Sequence, residues 1–280
     1  MKPAISLVSV VLAGIGLGAG LSAAQPGGPA FDIVSIKRNL AGGPVTAFPV
    51  SRGLTVRNFN ARELVELAFE LPEYRITGGP EWASAERFDI SGRTDRDASF
   101  REMLAMLRSA LAQRFQLATR IESREQQRYA LMLDRADGRL GPGLRASGDD
   151  CAPIVLPKDG PPPPPPPPGA RTNTCPSMFG PGFISARQIE MQAVVDYLSR
   201  EPTVRRVVVD KTGLSGKYNA DVSWSFEPGP APPGAAVFRM NPDGPNLFTA
   251  LREQLGLRMQ PERGPVDVLV IDRMERPTED

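Results

Sequence analysis

The sequence predicts an α+β fold of two similar halves, each a small, mostly antiparallel sheet with two helices on one face. Three observations predict it. The stretch Gly53 to Gly92 is written a second time as Gly182 to Trp224. In both, a short strand leads into an amphipathic helix, a β-rich run, a Gly-containing turn, an aromatic after a basic residue (Arg87-Phe88, Lys217-Tyr218) and a further strand. The apolar periodicity changes between strand and helix spacing in the same order in each copy. A Gly/Pro-rich stretch, 138–181, stands between them. The expected layout is a leader over 1–24, a first half over 31–137, a linker or loop over 138–181 and a second half over 182–276.

Phe31 to Ile36 alternates apolar and polar residues and reads as the opening strand, with a Gly/Pro loop after it. Leu54-Thr-Val56 is a short strand. Asn60-Ala-Arg-Glu63 is a capping box, in which the Asn60 side chain accepts from the Glu63 amide while Glu63 reaches back. The helix it starts puts Leu64, Leu67, Ala68 and Leu71 on one face, and Pro72 ends it. Tyr74 to Thr77 and Phe88 to Ser91 read as strands, joined by the Gly78-Gly79-Pro80 turn and a short connection bearing Trp82. Ser99-Phe-Arg-Glu102 caps a second helix, whose Met103, Met106, Leu107, Ala110 and Leu111 keep helical spacing. Gln116 to Ile121 and Tyr129 to Leu133 are a closing pair of strands.

The second half repeats the plan. Phe183 to Ala186 is a strand, Met191, Val194, Val195 and Leu198 form a helix stripe, and Val207 to Val209 and Ala220 to Trp224 are strands around the Asp210 to Lys217 turn. After a Pro/Gly insertion, 227–244, come a helix over Leu247 to Leu255 with Gly256 as its cap, and strands over Leu257 to Gln260 and Val266 to Ile271. Phe115-Gln-Leu117 resembles Leu257-Arg-Met259.

Composition removes several classes of function. The first 24 residues carry Lys2, an apolar run and Ser22-Ala23-Ala24, the pattern of a secretory leader, with a retained membrane anchor as the alternative reading. Without Lys2 the chain has 32 basic and 32 acidic side chains, so no large cationic face for nucleic acid is expected. There is no histidine, which removes His-dependent zinc sites, His-based triads and imidazole acid-base chemistry. The two cysteines, Cys151 and Cys175, are expected to form one disulfide in an exported chain, in preference to two free thiols. The bridge closes a loop around eight consecutive prolines, 161–168. Those prolines span about 25 Å as polyproline II and read as a stiff spacer, or alternatively as a docking site for an aromatic groove.

Four stretches together resemble a family of exported proteins of unknown function expanded in soil Acidobacteria: Phe31 to Lys37, Ile76 to Trp82 with Arg87 to Ile90, Asp210 to Gly216, and Leu247 to Pro277. The resemblance implies no catalytic residues. It implies an envelope setting, since related segments are attached to membrane sensor-peptidases. Each half also resembles, more weakly, the short N-terminal domain of secretins and TonB receptors, which is used for protein contacts.

Candidate chemistry is sparse. Val207-Val-Val-Asp-Lys-Thr-Gly213 has the form of a phosphorylated aspartate loop. Leu214 stands where that loop has Thr, and the corresponding first-half turn lacks the acid, so Asp210 reads better as a turn residue holding local amides. Asp89 and Asp221, placed at related positions of the two copies, with Glu63 and Glu81, are the carboxylates available for glycoside hydrolysis. Solvated or ion-paired charges are the simpler reading. Trp82 and Trp224 are either ligand platforms or packing under the turn of each half, with packing preferred.

The expected function is an extracytoplasmic binding or protein-interaction module, non-catalytic, for a small ligand or an envelope protein. No cofactor, metal or nucleic acid is expected, nor an integral membrane protein once the leader is removed. The alternative is a carboxylate-dependent, glycosidase-like envelope hydrolase.

Overall fold

The computed structural model describes residues 28–148, 151–153, 174–175, 177–226, 243–278 and 280. The leader reading and the proline run lie outside the described residues. The fold is α+β with two similar halves, built on three four-stranded sheets.

The first half opens with β1 (Ile33–Arg38), β2 (Thr46–Val50) and β3 (Gly53–Asn60), then α1 (Ala61–Phe69), β4 (Ile76–Gly78), the single turn α2 (Trp82–Ala85), β5 (Arg87–Arg93), α3 (Phe100–Arg114) and β6 (Ala118–Leu133). After β7 (Leu144–Ala146) and the two-residue pair β8 (Ala152–Pro153) and β9 (Thr174–Cys175), the second half runs β10 (Ser177–Gly180), β11 (Phe183–Ile189), α4 (Met191–Arg200), β12 (Val208–Asp210), β13 (Tyr218–Ser223), α5 (Leu247–Ala250) and β14 (Leu257–Arg273). Two sheets are antiparallel and belong to one half each, in the orders β1-β5-β3-β2 and β10-β11-β13-β7. Thus Leu144–Ala146 and Ser177–Gly180, inside the stretch read as a linker, are edge strands of the second-half sheet.

The third sheet, β12-β6-β14-β4, joins the halves. Its centre is an antiparallel ribbon of β6 and β14, paired from Leu257↔Leu133 to Arg273↔Ala118. The sequence marks only the ends of these strands, because Glu122 to Arg128 and Pro261 to Pro265 lack apolar alternation. The structure runs straight through both. Tyr129 donates its amide to Val207 on the far side, so Tyr129 and Pro261 are a non-hydrogen-bonded pair. Pro265 lies four residues further on, an even spacing, so Pro261 and Pro265 both point the side that lacks an N–H away from β6, and the ladder is unbroken.

The short outer strands cross over. β4, from the first half, runs parallel to β14 with Ile76 opposite Leu269. β12, from the second half, runs parallel to β6 with Val208 opposite Tyr129. The numbering shift that carries Tyr129 onto Leu269 carries Glu125 onto Pro265, and these two are register partners. A pseudo-two-fold axis therefore passes through the Glu125–Pro265 pair, and each half closes on the other's long strand. The cores follow. Leu269, Ile271 and Met274 complete the first core around Ile36, Leu64, Leu107 and Phe115. Leu131 belongs to the second core, with Val194, Leu198, Trp224 and Leu251. Each exchanged aliphatic side chain contributes about 2 kcal/mol of burial to the other half.

Local chemistry repeats with the same symmetry. β3 and β11 each bulge just before their helix, and the bulge residues Asn58 (φ 57°) and Gln188 (φ 53°) are left-handed. Asp89 Oδ1 accepts the Asn58 amide at 2.8 Å, and Asn219 Oδ1 accepts that of Gln188 at 3.1 Å. The counterpart of Asp89 is therefore Asn219, not Asp221, which corrects the sequence pairing. Likewise α3 ends at left-handed Gln116 (φ 49°), and the turn after α5 ends at left-handed Gly256 (φ 69°). Phe115 hence matches Leu255, two residues earlier than the Leu257 that the sequence resemblance suggests.

Both capping boxes form, with Glu63 N to Asn60 Oδ1 at 2.8 Å and Ser99 N to Glu102 Oε2 at 2.8 Å. Three details differ from expectation. α1 stops at left-handed Glu70, before Pro72, where the Leu71 amide donates to the Glu66 carbonyl. The second-half helix widens after Ala250 into a π turn, Leu251–Leu255. The Gly/Pro loop after β1 contains strand β2, an edge strand that accommodates Pro49.

Candidate functional site

The halves meet beside the ribbon, and the meeting leaves a cleft of about 340 Å³. Its first-half wall carries Glu70, Tyr74 and Arg75. Its second-half wall carries Asp196, Ser199, Arg200 and the strand Val207 to Asp210. The first wall exists because Pro72 starts a single 3₁₀ turn, Glu73–Arg75, closed by the Arg75 amide on the Pro72 carbonyl at 2.9 Å. That turn delivers two consecutive side chains across the boundary. The Tyr74 hydroxyl donates to the Ser199 carbonyl at 2.6 Å, one of the carbonyls left over at the end of α4. Burial pushes the Tyr74 phenol up to about 12. The Arg75 Nε donates to the Asp267 carbonyl of β14 at 2.9 Å.

The second wall is fixed by Ser199. Its hydroxyl donates to the Val195 carbonyl at 2.7 Å and accepts the Val208 amide at 2.9 Å, tying β12 to α4. Val207 packs on Val266, Val268 and Val270 of β14, and Val207, Val208 and Val209 give the second wall its apolar surface.

The charges in the cleft are unevenly matched. Glu70 pairs with Arg101 at 3.9 Å. Asp196 accepts from the Gln192 amide at 2.7 Å. Asp210 accepts both the amide and the hydroxyl of Thr212, at 2.8 and 2.7 Å, the local turn contact its sequence position suggested. By contrast Arg75 has no carboxylate within ion-pair distance among the described residues, and Arg200 has neither a hydrogen bond nor an ion pair there. Burial pushes the Arg75 guanidinium below its usual value, and the neighbouring Arg200 pushes the same way.

A second, shallower hollow of about 170 Å³ adjoins the cleft along Pro72, Tyr74, Arg200 and Pro202, with Glu201 in its lining. Glu201 is 3% exposed. One of its oxygens accepts from the Tyr197 hydroxyl at 3.4 Å, and the other has no partner among the described residues. Burial pushes the carboxyl up. At the end of α1, burial and the nearby Glu73 and Glu63 raise Glu66 to about 7.

The matching residues 62–274 make up a single family match, described as a protein of unknown function, DUF3738. The chain belongs to the DUF3738 family. The match begins in α1 and ends just past β14, so the DUF3738 unit contains both short crossover strands, both long strands and both walls of the cleft. It spans parts of both halves and leaves out β1, β2 and β3. No curated protein matches the chain, and no solved structure does.

The residues singled out from sequence lie elsewhere. Trp224 is 2% exposed and stands against Tyr197, with ring centroids 6.3 Å apart. Its indole N–H has no hydrogen-bond partner among the described residues. Trp82 is partly buried, with its ring against the Phe88 edge at 6.4 Å and the Arg276 guanidinium 5.2 Å above it. The two are not counterparts: Trp82 corresponds to Leu214, and Trp224 to Thr94. Asp89 and Asp221 sit in different sheets. Asp221 accepts from Ser185 and Arg187, both at 2.9 Å, and Glu63 is held by its cap. Cys151 and Cys175 are joined, with Cα atoms 5.2 Å apart. Among the described residues, no three metal-ligating side chains gather, and no helix is long and apolar enough to cross a membrane.

Tyr74, Arg75, Ser199 and Arg200 were not legible as a site. The available signal was a divergence within the repeat. Leu71-Pro-Glu-Tyr-Arg75 faces Glu201-Pro-Thr-Val-Arg205, so a tyrosine stands in one copy where the other has Val204.

Proposed function

We propose that the protein is an extracytoplasmic binding module that captures a small ligand in the cleft between its halves. The observation that carries this reading is the cleft itself: two walls from opposite halves, the first carrying Tyr74 and Arg75 and the second lined by Val207 to Val209. Its volume lies at the lower end of the range for small-molecule sites, and its mixed apolar and polar lining suits one. The Cys151–Cys175 disulfide supports an oxidising compartment, consistent with removal of the 1–24 leader and with the envelope setting implied by the family resemblance. Binding is favoured over carboxylate-dependent hydrolysis because Glu63, Asp89 and Asp221 are each committed to backbone or ion-pair contacts, and Asp221 lies in a different sheet from Asp89.

Native mass spectrometry of the mature chain, incubated with the small-molecule fraction of an envelope extract, tests this. Gln192 is exposed on the cleft wall, so Gln192→Trp fills the cleft without disturbing the core. A ligand adduct on the wild type that is lost in Gln192→Trp is expected. No adduct on the wild type, or one unaffected by the plug, overturns the reading.

A further inference from the structure

If the cleft is the binding site, its charges determine what it selects. We propose that the ligand carries a compact anionic group, a carboxylate or phosphate, held between Arg75 and Arg200. Two guanidinium groups share the cleft; burial makes charge on Arg75 costly, Arg200 adds to that cost, and the Asp267 and Asp196 carboxylates offset only part of it. Such an arrangement is stabilised when an anion stands between the cations. The acids of the lining do not fill that role: Glu70, Asp196 and Asp210 take donors from Arg101, Gln192 and Thr212.

The donors that remain have the geometry for the task. Arg75 spends its Nε on the Asp267 carbonyl, which fixes the plane of the guanidinium and leaves its two terminal nitrogens for a ligand. Arg200 keeps its whole fork on the opposite wall. Paired N–H groups on a planar cation match the two oxygens of a carboxylate or phosphate. Tyr74 is a positioning residue here, since its hydroxyl is committed to the Ser199 carbonyl and thereby holds the turn that bears Arg75. Asp196, which also acts on Arg75, sets a limit on the ligand's charge and selects against extended polyanions.

The test is an NMR titration of the intact mature protein, reading the arginine Nε–Hε signals, with inorganic phosphate, succinate and, as neutral probe, glucose. Phosphate or succinate is expected to shift Arg75 and Arg200 at concentrations that leave the exposed Arg101 and Arg258 unmoved. Arg200→Gln, at an exposed position, is expected to weaken that response at least tenfold with no change in melting temperature. Equal shifts at all arginines, which signify screening alone, overturn the proposal. So does a phosphate response unchanged in Arg200→Gln. Glucose shifting the cleft while neither anion does overturns the anion assignment and leaves the cleft standing as a binding site. If no probe acts on the cleft while native mass spectrometry finds a neutral adduct lost in Gln192→Trp, the anion assignment again falls alone.

Discussion

The Tyr74 hydroxyl donates to the Ser199 carbonyl at 2.6 Å and so fastens the first half to the last turn of α4 in the second. This contact links two parts of the chain that share no local sequence signal, and it sets the distance between the walls of the cleft. Tyr74→Phe keeps the ring and leaves the carbonyl without its donor. The expected cost is about 1 to 2 kcal/mol, read by urea denaturation with an unchanged slope. A change below 0.3 kcal/mol, roughly the resolution of such curves, contradicts the contact's role.

The repeat supplies its own stabilising substitution. Gln116 and Gly256 occupy the same left-handed cap, at φ 49° and 69°. Only glycine adopts that conformation without strain, so Gln116→Gly is expected to stabilise by about 0.5 to 1 kcal/mol. The reverse change is expected to be severe, because a Cβ on Gly256 would stand 2.6 Å from the Gly141 amide nitrogen. Thermal unfolding of the two single variants, shifting in opposite directions, checks the proposed equivalence.

The contribution of Glu66 to stability is expected to fall as pH rises from about 4.5 to about 7. Glu66 titrates at about 7 in the folded chain against 4.5 when unfolded, through burial first and the charges of Glu73 and Glu63 second. The folded state therefore holds the proton more tightly. The stability linked to it is fully present below about pH 4.5 and is lost as pH rises through about 7. With solvent screening allowed for, the loss is about 1 kcal/mol. Glu66→Gln is expected to flatten the pH dependence across that window, measured by chemical denaturation at several pH values. A variant whose profile parallels the wild type contradicts the assignment.

Local features were legible in the sequence and long-range ones were not. Asn60 with Glu63, and Ser99 with Glu102, announce their caps because both partners lie within one helical turn. The Asp210 turn and the Cys151–Cys175 bridge follow from short-range chemistry and from the count of thiols. The ribbon escaped because Glu122 to Arg128 gains its strand character from pairing with residues more than 130 positions away, where Arg128 meets Glu262 at 2.8 Å. The same distance hid the crossing of β4 and β12, and with it the cleft. Tyr74 and Arg75 read as the start of a strand, since nothing local records that Ser199 and Asp267 are waiting for their donors.

The central claim is that the two halves are exchanged across the Glu125–Pro265 axis, so that neither core is complete without the other half's long strand. The most direct measurement is to produce 28–148 and 151–280 as separate chains and follow each, and their mixture, by sedimentation and thermal unfolding. Each chain alone is expected to lack the cooperative transition of the intact protein, and the mixture is expected to regain it as a one-to-one complex. A 28–148 chain that unfolds cooperatively as a monomer and does not associate with 151–280 would contradict the account.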